Sequence, residues 1–177
     1  MKNLCLVNRV ALVLTCAAFA ITQRPVNAKD FLPVRVTPIV ANAGSTAVLT
    51  PTIEPTLFKA SVTGVIQSPS LGTCINSAEL EVRFPTSPNQ PVVINGTATW
   101  TTIDGVNSLK VSITGTATPD PANPGFFNAK YQVTITGGTG VYASARGLAE
   151  IDEVVMFTSQ TTATATWNMK GLVVTPR

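Results

Sequence analysis

An all-β, antiparallel domain is expected from three features of this chain. Apolar and polar side chains alternate strictly in places, most clearly Phe127, Ala129, Tyr131, Val133 and Ile135 against Asn128, Lys130, Gln132, Thr134 and Thr136. That two-residue period sends successive side chains to opposite faces of a strand. Charged residues make up only 12% of the sequence, while Thr and Val recur throughout, a composition that suits pleated, half-buried surfaces better than helices. Gly and Pro break the chain at short intervals, and no stretch beyond residue 28 keeps a helical period.

Residues 1–28 read as a removable secretory signal. Lys2 and Arg9 precede an apolar run over 10–21, and Val26, Asn27 and Ala28 offer a cleavage site. Gln23 and Arg24 interrupt the run before the roughly 20 apolar residues that a membrane-spanning helix requires. Export to the periplasm or the cell exterior is therefore expected, with no membrane association after cleavage. Lys2, Arg9 and Arg24 leave with the signal and no acidic residue does, so twelve basic residues become nine, against nine acidic ones. A nearly neutral mature chain with no basic cluster speaks against nucleic acid or anionic membrane as a partner. Cys5 and Cys16 also leave, so Cys74 has no intrachain partner and is expected as a small buried or half-buried thiol.

Residues 29–56 carry Pro33, Pro38, Pro51 and Pro55 between short extended stretches and read as a loosely ordered N-terminal extension. The domain proper is expected over 57–177. Strands are expected at 57–67, 78–84, 97–103, 106–118, 127–136, 148–157 and 161–174, with Pro-rich breaks at 85–88 and 119–125. Asp104-Gly105 joins two long β runs and is the firmest hairpin, whereas Asn95-Gly96 reads as a bulge or a short extra hairpin. Seven or eight strands in meander order fit a closed barrel or a two-sheet sandwich, and spacing alone does not separate them.

The stretch after the clearest strand carries a motif. Gly137-Gly138-Thr139-Gly140, the aromatic Tyr142, and Ala145-Arg146-Gly147 resemble a signature near the C-terminal end of dirigent proteins and the related turn of allene oxide cyclases. The nearest resemblance is to bacterial secreted proteins with an allene oxide cyclase barrel-like domain. It implies a calycin-type, antiparallel, closed β-barrel of about eight strands, and so favours the barrel over the sandwich. Gly137, Gly138, Gly140 and Gly147 would form a structural corner at the rim where the lumen opens, the strand stopping at Gly137. Tyr142 and Arg146 would stand there as candidate ligand contacts. The plainer readings are packing for Tyr142 and an ion pair with Glu150 or Asp152 for Arg146. Plant members are dimers or trimers, which makes a homo-oligomer an expectation of the resemblance. They usually carry a disulfide, which this chain has no second cysteine to form.

The chain has no histidine, which removes the commonest general base, the usual catalytic triads and most zinc sites. No metal or cofactor is expected. The pairs Glu79/Glu81 and Glu150/Asp152 fit the outer, wetted face of strands. Glu153 instead falls in phase with Ala149, Ile151, Val155 and Phe157. It either lines the lumen as a desolvated carboxylate, a third candidate ligand contact, or is turned outward by a bulge, the plainer alternative. Trp100 and Trp167 are expected in the core.

Two functions follow. The preferred one is a non-catalytic secreted barrel that binds a small apolar or phenolic molecule, or serves as an extracellular structural module. The alternative, implied by the resemblance, is a cyclase or isomerase acting by substrate confinement in the lumen, for which no catalytic residue is assigned. An open lumen favours ligand handling and a solid one the structural module.

Overall fold

A computed structural model describes residues 33–87 and 90–177. The signal expected over 1–28 lies outside the described residues. The chain forms eight strands: β1 (Val34–Pro51), β2 (Leu57–Ser68), β3 (Gly72–Arg83), β4 (Val92–Thr102), β5 (Ser108–Pro119), β6 (Phe126–Thr139), β7 (Arg146–Phe157) and β8 (Thr162–Pro176). Each pairs antiparallel with the next, and β1 pairs with β8, closing the barrel. A sandwich is thereby excluded. Closure removes the two free outer strands of an open sheet, while the first part of β1, before Asn42, is paired on one side alone.

Within the N-terminal extension expected over 29–56, the described residues do not form a loose extension. Residues 34–51 are β1, paired with β8 from Val34↔Pro176 to Val48↔Thr162 and with β2 from Asn42↔Gln67 to Pro51↔Phe58. Its inward positions include Ala41, Ala43, Ser45 and Ala47, too small to give a hydrophobic alternation that stands out in sequence. The prolines are tolerated by position. Pro38 lies where β2 has not yet joined, and Pro51 ends the strand.

Asn95-Gly96 is neither bulge nor turn, for β4 runs through it in unbroken register with Glu81 and Leu80. Glycine is required there by close approach: a Cβ on Gly96 would stand 2.2 Å from the Glu79 carbonyl oxygen. The Asp104-Gly105 hairpin forms as expected. Gly105 takes a positive φ of 74°, and Asp104 Oδ1 accepts from the Val106 amide at 3.0 Å and the Thr102 hydroxyl at 2.5 Å.

The strand expected to stop at Gly137 continues to Thr139, with a register shift against β5 between Lys110 and Val111. This bulge takes up Thr136, after which Gly138 lies so close to Ser108 that a Cβ would come within 1.8 Å of its carbonyl oxygen. One 3₁₀ turn, Gly140–Tyr142, then leads into β7.

Candidate functional site

The two ends of the barrel are filled differently. Where β5 and β7 begin and β6 finishes, Ile39, Ile66, Leu109, Val111, Ile135 and Val173 are fully buried and seal the interior. Toward the other end the inward positions shrink to alanine on several strands, at Ala47, Ala60, Ala78, Ala117, Ala163 and Ala165, and a cavity of about 110 Å³ remains. Buried Trp100 and Trp167 line this lumen, as does an aromatic group where β3 and β7 finish and β6 begins. There Phe84 and Phe127 both contact Phe157, with ring centroids 6.5 and 5.4 Å apart, and Phe58 meets Phe84 edge-on at 5.3 Å.

Four polar side chains interrupt the apolar lining: Ser45, Asn76, Tyr131 and Glu153. Glu153 points inward because β7 runs in unbroken register against both neighbours, opposite Ala129 on β6 and Trp167 on β8. The outward bulge is thus excluded. Its Oε2 accepts a hydrogen bond from the Tyr131 hydroxyl at 2.5 Å. Burial raises the Glu153 pKa above the ordinary carboxylate value, and the Tyr131 bond partly opposes that rise. Tyr131 is pushed well above the usual phenol value, first by burial and then by the adjacent Glu153 charge.

Asn76, on β3, is 5% exposed, and its Oδ1 has no hydrogen-bond partner among the described residues. In an eight-membered ring β3 and β7 are four strands apart in either direction, so Asn76 and Glu153 stand on opposite walls. Ser45 and Asn76 share one row, each paired with Gly64 between them. A Cβ on Gly64 would lie 2.8 Å from that of Ser45.

Of the three candidate contacts, the structure places Glu153 in the lumen and the other two away from it. The glycine corner stands at the sealed end, not at an open rim: Gly138 is eleven residues along β6 from Phe127, roughly 35 Å of strand path. Arg146 there donates from Nη1 to the carbonyl oxygens of Thr136 at 2.5 Å and Ala145 at 2.7 Å, so it ties the corner together and pairs with neither Glu150 nor Asp152. Tyr142 is half-buried and packs against the core. Gly137 and Gly140 have positive φ, and a Cβ on Gly147 would meet the Leu172 carbonyl oxygen at 2.0 Å, so these glycines answer to the backbone at the corner. Cys74 is buried and free, its thiol pKa raised mainly by that burial. Glu79, Glu81, Glu150 and Asp152 all face outward.

Asn76 and Ser45 were not anticipated, although a signal existed for the first. Cys74, Asn76, Ala78, Leu80 and Val82 keep one inward phase, and Asn76 is a polar residue within it.

No protein-family model matches the chain, and no curated protein matches it. Among solved structures it is similar to the pterocarpan synthase dirigent protein GePTS1, at 12% identity and a TM-score of 0.43, over 83% of this chain and 88% of that one. It is similar also to the pterocarpan synthase dirigent protein PsPTS1, at 14% identity and a TM-score of 0.42, over 82% and 97%.

Proposed function

We propose that this chain is an exported, non-catalytic barrel that holds one small ligand, of single-ring size with an apolar or phenolic body, in its lumen. The observation that carries the reading is the unfilled space under the phenylalanines with an unpartnered Asn76 carboxamide in its wall. Protein interiors are normally close-packed, so a run of alanines that leaves room is a feature to be explained. A volume of about 110 Å³ is near that of engineered apolar cavities, on the order of 150 Å³, that take up benzene. Asn76 is one of the few polar groups in that wall, and its side-chain oxygen lacks a hydrogen-bond partner among the described residues, a state that costs about 1–3 kcal/mol. The lumen's two titratable side chains, Tyr131 and Glu153, are bonded to each other, an arrangement that suits a binding wall.

Export is supported by the signal-like residues 1–28. The glycine motif supports placing the chain with the bacterial secreted allene oxide cyclase barrel-like proteins. Native mass spectrometry of the mature protein purified from its own host tests the binding reading. A retained small molecule is expected, absent from an Ala78→Phe variant whose added ring occupies the lumen. A natural protein that carries nothing and takes up no single-ring compound would refute it.

A further inference from the structure

We infer that the lumen selects small cations, namely amines with an apolar or aromatic body, with the Glu153 carboxylate as counter-ion and the surrounding rings as the wall of the cation site. This rests on the ligand-binding reading above and adds the charge of the ligand to it.

Glu153 is the one charged side chain among the described residues that line the lumen. The basic residues on the neighbouring strands, Lys130 and Lys170, are exposed on the outer face, Lys130 in a 3.6 Å pair with Asp152. Beside Glu153 stand the Tyr131 hydroxyl from β6 and Trp167 from β8, while Asn76 lines the opposite wall of the lumen, and none of these carries positive charge. A buried carboxylate without a cationic partner is costly, and either takes up a proton or awaits a cation from outside. Tyr131 fills one of its acceptor positions and leaves others open to a ligand N–H.

The neighbours suit an ammonium group. Trp167 is the direct cross-strand partner of Glu153 and Tyr131 is bonded to it, while Phe157 stands four residues further along the same strand face, at the aromatic end of the lumen. Ring faces attract cations by their quadrupole, most strongly where water is excluded. An anionic ligand would meet like charge, and a neutral one would forgo both attractions.

The test uses the mature natural chain and three probes of nearly equal size: benzylamine, benzyl alcohol and benzoate, titrated calorimetrically. At pH 8 benzylamine is expected to bind at least about tenfold more tightly than benzyl alcohol, with benzoate weakest. That preference should fade as pH falls and Glu153 takes up its proton, although the ammonium remains charged throughout. Glu153→Gln should abolish the preference of benzylamine over benzyl alcohol, and the pH series on the natural chain supplies the same answer without relying on the variant. Equal binding of amine and alcohol, or a preference that survives in Glu153→Gln, would overturn the cation inference and leave ligand binding intact. Failure of all three probes would overturn both.

Discussion

Tyr131 and Glu153 stand on adjacent strands, one step diagonal to each other, with the phenol donating to the carboxylate over 2.5 Å inside a mostly apolar lumen. Neither residue has another side-chain hydrogen bond among the described residues. Each holds the other's protonation state: the phenolic bond favours the ionised carboxylate, and the ionised carboxylate disfavours the phenolate.

This pair gives the fold a defined pH dependence. Burial raises the Glu153 pKa in the folded state, so between its unfolded value and that raised value the folded protein holds more protons than the unfolded chain, and stability falls as pH rises. The contribution is fully present below the unfolded pKa, about 4.3, and is lost as pH rises through the folded pKa. Denaturant melts of Glu153→Gln should show a flatter pH profile over that window than the natural protein. Tyr131→Phe should move the loss to higher pH, because it removes the bond that lowers the carboxyl pKa. Coincident profiles for all three proteins would contradict the inward placement.

At the sealed end, close approach and backbone conformation make different demands on glycine. Gly138 has ordinary φ, but a Cβ would collide with the Ser108 carbonyl oxygen, whereas Gly72 has a φ of 74° and open space around it. Gly138→Ala should cost about 3 kcal/mol or more, since backbone must move. Gly72→Ala should cost only the left-handed penalty of about 1–2 kcal/mol. Urea unfolding of the two variants makes the comparison.

Packing should respond oppositely at the two ends. Ile135→Ala empties a filled layer and is expected to cost about 2–5 kcal/mol. Ala163→Val adds methyl groups where the lumen has room, and should cost less than about 1 kcal/mol. Comparable losses from both would mean that the lumen is as tightly filled as the sealed end.

The strand pattern was legible from Phe127 onward because Tyr131, Val133 and Ile135 are large and alternate with polar residues. It was illegible in β1, where Ala41, Ala43, Ser45 and Ala47 hold the inward phase with side chains too small to register as hydrophobic. At Ser45 and Ala47 the same smallness leaves room in the lumen, so part of what hid the strand also makes the site. Glu153 was visible as a phase violation, but only unbroken register on both sides of β7 decides that it points inward. Arg146 and Tyr142 were drawn toward the site by a motif that marks a corner. Which end of a barrel is open depends on the summed volume of side chains from all eight strands, and no local motif carries that quantity.

The most direct measurement is a methyl-resolved NMR titration of the mature protein with toluene, a neutral single-ring probe indifferent to the Glu153 charge. The account predicts saturable shifts at Ala78, Ile94, Ile113 and Ala163, which line the lumen, and none at Ile135 or Ala145 beside the glycine corner. Shifts confined to the corner, or no saturable shift anywhere, would contradict a ligand site under the phenylalanines.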